Sequence, residues 1–138
     1  MAKLSLSAVA VGVYTALNVS GLTSLLGASR IYDQIPRNPT YPFVAYTLDK
    51  IEDRGLGTTE LPELTLRVST FSQSDTQAEA QAIVAKVEEL LTDATLTISG
   101  YRMAGQVVWR ESMDLGNTEI NGVKSREWVS QFTVWCEV

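Results

Sequence analysis

The 138-residue sequence predicts an α+β fold: a mainly antiparallel or mixed sheet of four to five strands, with two main helices packed on one face. Three observations point there. Residues 63–71 and 126–138 alternate apolar and polar with a period of two, as half-buried strands do. Residues 75–92 repeat apolar side chains at three- and four-residue steps, as a helix lying on a core does. The order helix, two strands, helix, two strands favours hairpin-linked strands, which leave one sheet face for the core and one spare.

From the N-terminus, Leu6, Val9, Ala10, Val13 and Leu17 share one helical face and predict a first helix from about Leu4 to Asn18. Lys3 ahead of this apolar run also fits a secretory signal. Ser5, Ser7, Gly12 and Thr15 dilute the run, and it is too short to span a membrane, so a buried amphipathic helix is the favoured reading. Ser20 is placed to cap a short turn carrying Leu22, Leu25 and Leu26, and Gly27 to end it. Arg30 to Pro36 reads as extended, and Pro36, Pro39 and Pro42 make Arg37 to Tyr41 a surface connection.

Phe43 to Ile51 reads as a strand, and Glu52 to Pro62, with Gly55 and Gly57, as a long hairpin loop. Glu63 to Phe71 puts Leu64, Leu66, Val68 and Thr70 on one face and Thr65, Arg67, Ser69 and Phe71 on the other. Ser74 and Gln77 have the spacing of a capping box, opening a helix from Asp75 to Thr92 whose stripe is Ala80, Ile83, Val84, Val87, Leu90 and Leu91. Thr95 to Ser99 predicts a short strand, and Tyr101 to Glu111 a longer one that groups Tyr101, Met103, Val107 and Trp109. Gly116, Asn117, Asn121 and Gly122 mark Ser112 to Ser125 as a second long hairpin loop. The last strand, Arg126 to Val138, turns Trp128, Phe132, Val134, Cys136 and Val138 inward, and Trp135 outward with Val129, Gln131 and Thr133. With no repeat, low-complexity tract or linker, residues 1–138 read as one domain.

Composition narrows function. A net charge of −5 disfavours nonspecific attraction to nucleic acid and to anionic membranes. The chain has no histidine, which removes the commonest general base and metal ligand together. Its one cysteine, Cys136, sits in an alternating apolar strand and reads as a core residue. No catalytic residue, metal site or cofactor is expected. Lys124-Ser125-Arg126 is too short a basic run for nucleic-acid binding, and Gly55-Leu56-Gly57 serves a turn. Asp49, Glu52, Asp53 and Glu60 crowd the first loop with Lys50 and Arg54, at spacings that match no calcium loop. A solvated hairpin is the favoured reading, with a charged assembly rim second. Trp135, on an otherwise polar strand face, fits either an interface anchor or a residue covered by a loop.

Arg30-Ile31-Tyr32-Asp33-Gln34-Ile35-Pro36, followed by Tyr41-Pro42-Phe43-Val44 and, later, Ser74-Asp75-Thr76-Gln77-Ala78-Glu79-Ala80, resembles the tail-terminator or tail-completion family of long-tailed phages and related gene-transfer particles. The resemblance runs over nearly the whole chain, by layout alone in the C-terminal half. It implies a structural protein of the virion tail, assembled in the host cytoplasm and not an enzyme. The implied form is a homo-oligomer, a hexameric ring, that stops tail-tube growth and forms the head-joining surface. The implied partners are the tail-tube protein and the head–tail connector proteins, with DNA passing through unbound and no membrane involved. Six copies would carry six times −5, or −30, so DNA in the passage would meet like charge. The candidate interface or lumen residues are then Asp49, Glu52, Asp53, Arg54, Glu60, Asp114, Glu119, Lys124 and Trp135. The alternatives are another ring of the same particle, namely a connector or tube subunit, and less favourably a monomeric adaptor or a carboxylate-dependent enzyme.

Overall fold

The computed structural model describes residues 6–53, 62–74, 76–98, 102–103 and 105–137. Among these are three helices and six strands: α1 (Leu6–Leu17), α2 (Ser20–Leu26), β1 (Ile31–Tyr32), β2 (Phe43–Asp53), β3 (Pro62–Ser72), α3 (Ala78–Leu91), β4 (Arg102–Met103), β5 (Val108–Ile120) and β6 (Val123–Glu137). The fold is α+β as expected, but with one strand and one helix more. The sheet runs β1-β2-β3-β6-β4, with β5 also pairing β6 beside β4. It is mixed, because β1 runs parallel to β2 while every other pair is antiparallel.

The alternation of β3 decides which face becomes the core. Leu64, Leu66 and Val68 are at most 1% exposed, and they meet Phe132, Val134 and Cys136 of β6 in one apolar cluster. Val9, Val13 and Leu17 of α1 and Ile83, Val87 and Leu91 of α3 close over that cluster, so the helices lie on one face. Leu6, assigned to the buried face, is instead 48% exposed at the start of α1. Gly12 takes up inward space there: a Cβ on it would stand 2.7 Å from the carbonyl oxygen of Thr97. Gly12→Val should therefore cost about 1–3 kcal/mol through overpacking, although valine is the better helix former. Thermal melts of the variant and the wild type check this.

α2 begins one residue after Val19, whose extended backbone is its N-cap, so Ser20 is helical and supplies no side-chain cap. Gly27 ends α2 in the left-handed region, φ +87°, as its position predicts. Arg30 then donates from Nη1 to the Leu26 carbonyl at 2.7 Å and to the Tyr41 carbonyl at 3.2 Å, tying the helix end to the proline-rich connection. The Tyr41–Pro42 peptide is cis. The capping box also fails to form. Ser72 Oγ donates to Glu79 Oε1 at 2.7 Å, anchoring the first turn of α3 to the end of β3, and the helix starts at Ala78. Asp75 lies outside the described residues.

The region 93–111 is more broken than its sequence suggests. Ile98 makes a lone bridge in place of a strand, Gly105 takes φ +99°, and β4 and β5 are separate. Paired bonds between Asp93 and Val107 and between Ala94 and Val107 replace the expected ladder, and they bury Val107 and Met103 while Trp109 stays 43% exposed. Tyr101 and Val138 lie outside the described residues. No single described helix is long and apolar enough to cross a membrane, and α1 and α2, which pass that test only as a pair, are bent by 78°.

Candidate assembly surfaces

The spare face of the sheet is polar and laced with paired charges. Trp135 sits on it, half-buried. Its Nε1 donates to Glu63 Oε2 at 3.0 Å, and the Arg110 guanidinium lies 5.6 Å from its ring centroid. Arg110 also donates to Thr133 Oγ1 at 2.9 Å. Asp49 pairs with Arg67 Nε at 2.8 Å, and Glu52 pairs with Lys50. Asp53 ends β2 in register with Pro62, while Arg54 and Glu60 lie outside the described residues. The expected acidic cluster is thus partly neutralised where it can be described. Among the described residues, no group of three acidic or thiol side chains could hold a metal ion.

At the other end of the same face the connection 33–42 folds back on the sheet. Tyr41 packs on Phe43 with centroids 5.1 Å apart, Tyr32 on Phe43 at 5.9 Å, and Phe43 stacks on Phe71 at 4.7 Å. Periodicity put Phe71 on the polar side of β3, but these rings cover it and leave it 4% exposed. Val129, placed among polar neighbours, is also buried, in register with Ser69 and Met113. Trp128, expected in the core, is only half-buried, because its register partners are Thr70 and Asp114, at the sheet end remote from Val134 and Cys136.

The largest correction concerns residues 112–125. They are not a long loop. β5 and β6 pair from Val108–Thr133 to Ile120–Val123, with register shifts at Arg110 and Leu115, and only Asn121-Gly122 turns the chain. Both residues have positive φ, +51° and +80°, as a two-residue hairpin turn requires. Gly116, at φ +82°, belongs to a bulge where Leu115 is the extra residue. Beside that bulge, Asp114 accepts from Arg126 Nε at 3.0 Å and from Nη2 as well, and from the Gly116 amide at 2.8 Å. The Arg126 hydrogen bonds hold the Asp114 carboxyl below its ordinary value, against a smaller upward push from desolvation. This contribution is therefore present above the usual carboxylate range and fades as pH falls through the lowered value. Glu119 and Lys124 face each other in register, both exposed, next to the turn.

Sequence reasoning missed a second feature of β5. It has no buried residue, pairs on one side only among the described residues, and exposes Trp109, Met113 and Leu115 by 43–50%. It is a long sheet edge, held to α3 where Ser112 Oγ donates to Glu88 and accepts from Trp109 Nε1 at 3.0 Å. Cys136 is free and buried, and burial pushes its thiol up to about 11, which keeps it unreactive.

Strand direction separates the candidate residues into two groups. Asp49, Glu52, Asp53 and Trp135 lie toward the β2–β3 connection, and Asp114, Glu119 and Lys124 toward the β5–β6 turn, at opposite ends of one sheet. The described residues thus present paired charges and a sheet edge as surfaces for contact. No curated protein matches the sequence. A chain from the structure of the virion of a native gene transfer agent (GTA) particle has the same fold, with TM-score 0.79 at 21% identity, covering 97% of this chain and 100% of that one. Residues 11–137 match the family described as tail completion protein gp17. The chain belongs to that family, and it is a structural protein of the virion tail, not an enzyme.

Proposed function

We propose that copies of this chain close into a hexameric ring that terminates the tail tube and presents the surface to which the head is joined. The observation that best supports this is the two-ended subunit. The β2–β3 connection and the β5–β6 turn leave opposite ends of one sheet, so a ring of such subunits offers one set of contacts to the tube and another to the connector. The exposed β5 edge supplies a lateral surface of the kind that sheet proteins otherwise cover. DNA passes through without specific binding, since the net charge of −5 per subunit gives the phosphates nothing to hold.

Inactivating the gene in particle-producing cells should give tails of irregular, excessive length without heads in electron micrographs. Wild-type protein should restore fixed-length, head-bearing tails. A version lacking residues 54–59 should not, while melting like the wild type in isolation. Fixed-length, head-bearing tails in the absence of the protein would contradict the assignment, and full rescue by the shortened chain would remove the first connection from it.

A further inference from the structure

The β5–β6 hairpin is tethered at three points. At its base, Asp114 grips both Arg126 and the amide of Gly116 across the Leu115 bulge. Near its tip, Gln73 Nε2 donates to the Lys124 carbonyl at 3.1 Å. At the turn, Asn121 Nδ2 donates to the Arg37 carbonyl, landing the tip on the proline-rich connection. Pairing of β6 with β3 ends at Arg126–Ser72, so residues 118–125 form a two-stranded ribbon with no third strand among the described residues. Such a ribbon is marginal by itself, and a bulge at its base is where it would swing.

We propose that the Asp114–Arg126 pair is a clasp that fixes the direction of the hairpin tip, so that the tip and the Arg37–Tyr41 connection form one preorganised end of the subunit. The bidentate pair immobilises the bulge, and Gly116 supplies a backbone angle that other residues adopt only with strain. With the bulge fixed, Asn121 is delivered to Arg37; with it loose, the tip leaves while the core stays folded. The neighbouring charges do not substitute for the clasp: Glu119 faces Lys124 farther out, and Glu127 is in register with Gly116, not with Asp114. Preorganisation matters for a docking end because ordering a loose ribbon on contact would subtract from binding. The clasp itself needs only the isolated chain, so it stands or falls separately from the ring.

Amide hydrogen exchange of the full chain tests it. Asp114→Asn and Arg126→Gln should each speed exchange at the amides of 116–124 by roughly threefold to tenfold, with the β3 amides unchanged. Asn121→Gly keeps a residue suited to positive φ and removes only the outer tether. It should speed exchange near the turn and leave the Gly116 amide protected. Asp49→Asn, which breaks the exposed pair with Arg67 at the opposite end, should leave the tip unaffected. Unchanged tip exchange in the Asp114 and Arg126 variants would overturn the proposal. So would an equal acceleration at tip and core, since the pair would then act on global stability alone.

Discussion

Phe132→Ala is expected to lower the unfolding free energy by about 3–5 kcal/mol, a large share of the total for a domain of this size. Phe132 is fully buried at the centre of β6, in register with Leu66 of β3 on one side and Trp109 of β5 on the other. Truncation would open a cavity at the one strand that joins the body of the sheet to the β5 edge. Neighbours on two ladders are held by backbone bonds and can collapse into it only partly. Urea unfolding followed by tryptophan fluorescence measures the loss, with Val123→Ala, 42% exposed, as the control. A loss under about 1 kcal/mol would mean the site collapses freely and is not the packing centre described.

Leu91→Ala on α3 is the second large effect, at about 2–5 kcal/mol. Leu91 is fully buried in the main cluster, whereas Leu90 beside it is only partly buried, so Leu90→Ala should cost distinctly less. Helical periodicity places both on one stripe, but Leu91 continues the buried row of Ala80, Val84 and Val87 while Leu90 lies at its margin. Periodicity also makes Glu88 a surface residue of no consequence, and there the structure differs. Glu88 accepts from Ser112 and so ties α3 to the β5 edge. Glu88→Ala should therefore cost about 0.5–1.5 kcal/mol, the net worth of the lost bond to the β5 edge, since Ser112 Oγ can still donate to Ser130 Oγ at 3.0 Å. Denaturant melts of the three variants rank them as Leu91, then Leu90 and Glu88.

The parts legible in the sequence are those where one physical signal dominates. β3 alternates because one face is core and the other is not, and α3 carries an unbroken apolar stripe. Gly27 marks a helix end because the left-handed backbone there favours glycine. Val108 to Glu111 of β5 fell inside the expected strand, but the rest of β5 was not legible, and for a physical reason: apolar alternation comes from a fully buried face, and its residues alternate only between half-buried and exposed. Without that signal, Gly116, Asn117, Asn121 and Gly122 read as one long loop, although one glycine serves a bulge and only Asn121-Gly122 makes the turn. The candidate residues were legible as charges but not as pairs. Asp114 meets Arg126, and Trp135 meets Glu63 seventy-two positions away, through strand register that local sequence does not carry.

If copies of this chain close into the proposed ring, the mass of the native assembly reveals it. Native mass spectrometry at near-physiological ionic strength should give a species of six times the 15.1 kDa chain mass. That species should gain abundance as salt rises from low levels, because screening relieves repulsion between subunits of net charge −5. A single species at 15.1 kDa under all conditions, in the presence of tail tubes as well as alone, would rule the ring out.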